Sequence, residues 1–154
     1  MSYRAPGSGL ALAASIIAII GALLGVGVAY LIYPVATNVT AVSQLAEEMS
    51  SIEPVLATIP ASQLANYLLV YVYIVLASSV VVLALGLFGI PLVYLPASHG
   101  DAARAASRAL PMGIAYIVFG LFGSNLLFGL IAGILMILAW RSLKRAAAAE
   151  PSYY

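Results

Sequence analysis

The chain has 154 residues, of which 64% are hydrophobic and 7% charged, and its formal net charge is +1. Soluble domains carry about 25% charged residues, so this composition excludes an ordinary water-soluble fold and predicts one domain that lies in lipid or in a tightly packed assembly. The charge pattern contains no basic run for nucleic-acid binding, and the absence of cysteine excludes disulfides, thiolate chemistry and Cys-ligated metals.

The first apolar stretch, residues 10–33, is predicted to be a transmembrane helix. It is too long for the hydrophobic region of a signal peptide, which spans roughly 7–15 residues. At about 1.5 Å per residue it is about 36 Å long, enough to cross a bilayer. We interpret it as an uncleaved membrane anchor.

Residues 34–63 form the long polar stretch and are predicted to be a loop outside the membrane. Within it, apolar residues recur at three- and four-residue spacing from Val35 to Ile52, with polar residues between them, which predicts an amphipathic helix. Pro54 would end this helix, and Thr37 or Asn38 would cap its start. Asn38 also begins the glycosylation motif NVT.

The polar face of that helix is acidic, because it carries Glu47, Glu48 and Glu53. Helices that lie on membrane surfaces usually carry Lys or Arg instead. We therefore expect this face to dock onto a partner or onto the protein's own outer loops, rather than to lie on lipid.

The second span is predicted at residues 64–88. The apolar run continues to Leu95, but Pro91 and Pro96 are expected to kink or end the helix. An inner loop is predicted at 97–107, where Asp101 would cap a short Ala-rich helix, and Pro111 would open the last apolar region.

The last apolar region, residues 110–140, would need severe tilt as one span, since a single helix would measure about 46 Å against a hydrocarbon core of about 30 Å. Length alone leaves one span or two open. Two helices, at about 108–122 and 125–141, would meet at the Gly-Ser-Asn sequence 123–125, which favours a turn. An inner tail would follow at 142–154.

The positions of the basic residues favour four spans over three. Four spans with the N-terminus inside put all the basic residues on one side, whereas three spans divide them equally. These inner-side determinants are Arg4, Arg104, Arg108, Arg141, Lys144 and Arg145. The sequence therefore predicts an all-α membrane protein: a four-transmembrane-helix bundle with an extra amphipathic helix in the outer loop. Both termini are expected on the cytoplasmic side of the cell membrane.

Two GxxxG motifs occur in the spans, at Gly21 and Gly25 and at Gly129 and Gly133. Small residues at this spacing allow two helix backbones to approach closely. Two interpretations stay open: packing between helices of one chain, or a seam between copies.

Residues with catalytic or metal-binding chemistry are sparse. The interiors of the predicted spans carry no ionisable residue, and the single histidine, His99, stands beside Asp101 without further ligands or a nucleophile. We predict no enzymatic activity, no metal and no cofactor.

The layout of residues 10–145, with the strings GLFG and GLIAGILMILAW, resembles that of small tetraspan membrane proteins. The first span followed by YPVATNVTAV resembles coat proteins of lipid-containing archaeal viruses.

We expect a structural scaffold or an accessory subunit of a membrane complex. The alternatives are a self-assembling virion or envelope protein and a passive pore or small permease. Expected partners are the lipid bilayer and other membrane subunits or further copies, and no nucleic acid.

Overall fold

The computed structural model describes residues 4–50, 52, 55, 58–122 and 126–149, and this part of the chain is helical almost throughout, without a strand. The elements are α1 (Ser8–Ala36), α2 (Val39–Met49), α3 (Ala61–Gly89), a π-helical turn (Ile90–Tyr94), α4 (Leu95–Ser98), α5 (Ala102–Leu121) and α6 (Leu126–Ala149). The all-helical fold class is confirmed. The predicted turn at 123–125 lies outside the described residues.

The four long helices pack as an antiparallel ring in the order α1, α3, α5, α6. The late part of α3 meets the early part of α1, where Gly86 lies against Ile19. The late part of α5 meets the early part of α6, where Gly120 lies against Gly129. The contact between α3 and α5 is the sparsest of the four.

Small side chains fill the interior of the bundle, and many large ones face outward. Ala11, Ala14 and Ala18 of α1 are fully buried, whereas Leu31 is 73% exposed and Leu23 57% exposed. Water-soluble proteins bury their large apolar residues instead. When the solvent is lipid, tight contact between small residues drives helix packing.

Three helical segments are long and apolar enough to cross a membrane: Ser8–Ala36, Ala61–Ser98 and Leu126–Ala149. They give the chain the character of an integral membrane protein. Helix α5 is not in this group, since Arg104 and Arg108 occupy its first two turns.

The second span does not end before Pro91. The helix continues to Ser98 through the π-helical turn, in which the Leu95 N–H donates to the carbonyl of Ile90, five residues earlier. Proline has no N–H to continue the α-helical pattern. The wider π turn accommodates that loss and lets the helix proceed.

The inner loop predicted at 97–107 is largely helical, because α5 already begins at Ala102. The Asp101 carboxylate caps it by accepting the Arg104 N–H at 3.0 Å, as the sequence predicted. Pro111 lies inside this helix instead of opening a new one. The strong cap and the helix-favouring Ala residues before Pro111 start the helix earlier.

The helix predicted at residues 35–52 is shorter in the structure. Val35 belongs to α1, and α2 spans Val39–Met49. The break has a local cause: the Thr37 hydroxyl donates back to the Tyr33 carbonyl at 3.1 Å and closes α1. The Asn38 side chain accepts the Thr40 N–H at 3.1 Å and opens α2.

Candidate functional site

The start of the chain is held against the ends of α4 and α6. The Ala5 N–H donates to the Ala97 carbonyl at 2.9 Å. Gly7 has a φ of +96°, and a Cβ added there would lie 3.0 Å from the Ala139 carbonyl and from Ser142. These contacts bring the start of α1, the turn between α4 and α5 and the end of α6 to one end of the bundle.

We call this end of the bundle the basic end, because its segments carry all the basic residues of the chain. They are Arg4, Arg104, Arg108, Arg141, Lys144 and Arg145. The residues named from sequence as topology determinants therefore lie at one end of one structure, which concentrates positive charge there.

Two polar groups of the basic end have defined local roles. The Asp101 carboxylate caps α5. His99 is exposed, and its Nδ1 lies 2.7 Å from the Leu95 carbonyl, the usual distance of a hydrogen bond at a helix end. Neither contact assembles a catalytic set. Among the residues that the structure describes, no group of three or more His, Asp or Glu side chains is placed to hold a metal.

The opposite end of the bundle carries α2, which packs mainly on α3 and α1. Val42 is fully buried there. Glu47 and Glu48, two of the predicted partner-docking residues, are exposed. Glu53 lies outside the described residues.

A buried polar cluster joins three helices and was not foreseen from the sequence. The Tyr116 hydroxyl of α5 donates to the Leu85 carbonyl of α3 at 3.0 Å. Ser15 of α1 lies beside it and donates to its own helix at the Ala11 carbonyl at 3.0 Å. Ser15 and Tyr116 are both fully buried. A Cβ at Gly89 would clash with the Ser15 hydroxyl and lie 2.9 Å from the Tyr116 oxygen, so only glycine fits between them.

The glycines of the two GxxxG motifs are all buried within the chain. Gly21 lies against Phe128 of α6. A Cβ at Gly129 would lie 2.6 Å from the Cα of Gly120, and one at Gly133 would lie 2.8 Å from the Gly113 carbonyl. A role of these motifs in contacts between copies stays a prediction.

A cleft of about 510 Å³ opens between α3 and α5 at the basic end. Arg108 and Ser107 form its polar side. Its apolar side is lined by Leu85, Leu92, Pro111, Met112 and Ala115. The cleft occupies the side of the ring where contacts are sparsest, and it combines a charged group and an apolar wall on one concave surface.

Two further clefts differ from it in character. One of about 280 Å³ lies farther along the same side, between Ile74 and Phe122, and its surface is entirely apolar. The other, of about 390 Å³, lies on α6 among Trp140, Arg141 and Arg145. There the Lys144 ammonium lies 5.3 Å from the centre of the Trp140 ring, within the range of a cation–π interaction.

Comparison of the chain with protein-family models, with curated proteins and with solved structures finds no significant match. The candidate site is therefore defined by its own geometry: a positively charged end, a buried polar cluster and an open amphipathic cleft.

Proposed function

We propose that this chain is an integral membrane protein whose four long helices cross the bilayer, and that it serves as a non-catalytic scaffold or accessory subunit of a larger membrane complex. The observation that carries the proposal is the distribution of side-chain size. Alanine and glycine line the helix contacts, while large apolar residues such as Leu31, at 73% exposure, face outward. A surface of this kind is stable only against lipid or other apolar protein surfaces.

The four-span arrangement is supported by the antiparallel packing of α5 on α6, added to the three apolar segments. The apolar part of α5, Ala109–Leu121, is about 20 Å long, shorter than a hydrocarbon core of about 30 Å. Local thinning of the bilayer would accommodate this short hairpin. Phe122 at the end of α5 and Leu127 at the start of α6 are 63% and 64% exposed, as expected for side chains that contact lipid.

The basic end would face the cytoplasm, because loops with Lys and Arg are retained there. Both termini would then be inside, and α2 with its exposed Glu47 and Glu48 would lie outside. The outer interface would carry Tyr30 and Tyr67, which are 78% and 64% exposed. Aromatic side chains are enriched at that depth.

An accessory role is supported by where the polar surface of the protein lies. The charged groups of the described residues are at the two ends of the bundle, and α2 offers an acidic surface, with Glu47 and Glu48 exposed, for a partner outside the membrane. The Gly- and Ala-lined contacts pack the helices closely against one another. These features suit a subunit that holds other proteins in place.

The experiment that tests this proposal is gentle extraction through a C-terminal tag, followed by native mass determination and identification of bound proteins. Foreign subunits in stoichiometric amount would support the accessory role. A pure homo-oligomer would contradict it and favour a self-assembling envelope protein or a pore. A tagged monomer without partners would contradict all three.

A further inference from the structure

We propose that the cleft between α3 and α5 at the basic end binds one anionic phospholipid, with the phosphate on Arg108 and an acyl chain along the apolar wall. This inference rests on the proposed membrane location of the bundle. It goes beyond that location by assigning a site, a ligand class and a charged anchor.

The geometry of the cleft matches a lipid in shape and polarity. Arg108 lies at its mouth, half-buried, next to the exposed Ser107. Below them the wall is apolar and includes Leu92, Met112 and Ala115. A ligand that fills this cleft needs one anionic end and one hydrocarbon end, which is the structure of a phospholipid.

The positive charge of Arg108 makes the polar side of the cleft suited to an anion. The described acidic side chain nearest to it in sequence at this end is Asp101, whose carboxylate accepts the Arg104 N–H at 3.0 Å and caps α5. A guanidinium in a partly apolar setting binds phosphate with paired hydrogen bonds, which are stronger than neutral ones. An anionic headgroup at the cleft would therefore be a strong partner for Arg108.

The depth of the cleft fits one leaflet. From Arg108 to Ala115 the α5 axis rises by about 10 Å. A leaflet provides about 15 Å of hydrocarbon, half of the core thickness. With Arg108 at headgroup level, the wall of the cleft lies at the depth of the upper acyl chain.

The cleft is a consequence of the fold. Helices α3 and α5 make the sparsest contact in the ring, and α3 continues into the π-helical turn, which contributes Leu92 to the wall. Given the proposed membrane location, the opening on the outside of the bundle faces the bilayer, where lipid is the available occupant.

The test is native mass spectrometry of the full-length protein in detergent with phosphatidylglycerol or phosphatidylcholine added. We expect one tightly retained phosphatidylglycerol per chain and no equivalent retention of phosphatidylcholine. Arg108→Gln should weaken retention about tenfold, since it removes a charge-assisted contact. Arg104→Gln is the matched control: it removes the same charge one turn away, outside the cleft, and should retain the lipid.

Ala115→Phe tests the apolar wall separately, because it fills the cleft and leaves every charge in place. Ala115→Phe should abolish retention of the lipid. Ala115→Leu is a smaller change and should reduce retention. It provides the test if Ala115→Phe does not fold. Equal losses for Arg104→Gln and Arg108→Gln would overturn the site in favour of diffuse charge attraction. Unchanged binding in the Ala115 variants would also overturn it, as would equal retention of both lipids.

Alkaline extraction of membranes separates failure of this inference from failure of the proposed function. A chain that stays in the membrane pellet but retains no phosphatidylglycerol contradicts the lipid site alone. A chain released by alkali contradicts the membrane location itself and the lipid site with it.

Discussion

The Tyr116 hydroxyl donates a hydrogen bond of 3.0 Å to the Leu85 carbonyl and so joins α5 to α3 across the side of the bundle where helix contacts are sparsest. The hydroxyl lies beside Ser15 of α1 and Gly89 of α3, so three helices meet at this buried group. This bond compensates for the scarcity of other contacts on that side.

Removing this hydroxyl should weaken the bundle. We expect Tyr116→Phe to lower the free energy of unfolding by about 1 kcal/mol, the usual value for one hydrogen bond within a protein or between membrane helices. The measurement is unfolding in mixed micelles by detergent titration. Tyr30→Phe is the control, since Tyr30 is 78% exposed and should show no loss. Equal stability of the two variants would mean that the bond contributes nothing.

Adding one methyl group at Gly129 should force α5 and α6 apart. Its Cβ would lie 2.6 Å from the Cα of Gly120 and 2.8 Å from the Tyr116 carbonyl, and backbone atoms cannot rotate away. We expect Gly129→Ala to cost about 1–3 kcal/mol, the range for overpacking. Gly27→Ala is the control on α1, where a Cβ meets nothing within 4 Å. A loss of stability in both would indicate a general effect of glycine replacement.

The start of α2 should depend on the side-chain oxygen of Asn38, which accepts the Thr40 and Ala41 N–H groups at 3.1 and 3.3 Å. We expect Asn38→Ala to destabilise α2 by about 1 kcal/mol and to speed hydrogen exchange in its first turn. Asn38→Asp keeps the acceptor oxygen but removes the NVT motif, and it should exchange like the wild type. Fast hydrogen exchange in the first turn of α2 in both variants would indicate that loss of the NVT motif, and not loss of the cap, destabilises the helix.

Membrane topology can be read from single cysteines, because the natural chain has none. With four spans, a cysteine at position 124 should react from outside with a membrane-impermeant thiol reagent in intact cells. One at position 152 should react only after permeabilisation. Labelling of position 152 from outside would contradict the four-span arrangement. A position 124 that no reagent reaches would indicate a hairpin that ends within the bilayer.

Local signals in the sequence predicted much of the fold. Asn38 and Asp101 identified helix starts because capping depends on residues within one turn. The separation of the last apolar region into two helices followed from its length against that of a bilayer together with the distribution of the basic residues. The caps needed only neighbouring residues, whereas the two-helix interpretation needed the dimensions of a membrane and the charge pattern of the whole chain.

The prolines were the main source of error in the predicted boundaries. Pro91 was expected to kink or end a helix and Pro111 to open the last apolar region, yet both lie in continuous helical segments. Proline removes one hydrogen bond but does not determine how the backbone adjusts. A π turn at Pro91 and a strong upstream cap at Asp101 decided the outcome, and surrounding protein and lipid tolerate such prolines in membrane helices.

The buried cluster was beyond reach of the sequence for another reason. Tyr116 and Leu85 are 31 residues apart, and one partner is a backbone carbonyl that every residue possesses. Nothing in the residues around Tyr116 distinguishes it from a tyrosine at a membrane interface. The cleft at Arg108 could not be predicted from the sequence either. Its walls come from two separate helices, and the packing of all four long helices sets the positions of these two relative to each other.

The contact of α1 with α6 has a consequence for how the protein is made. Gly21 of the first helix packs on Phe128 of the last, and Gly7 packs on Ser142. Because the ribosome delivers the N-terminus first, α1 is synthesised before α6, its partner helix. The face of α1 that packs on α6 therefore stays uncovered until α6 follows. A nascent chain stopped before residue 126 would keep that face uncovered, so this side of the bundle closes only after α6 has been synthesised.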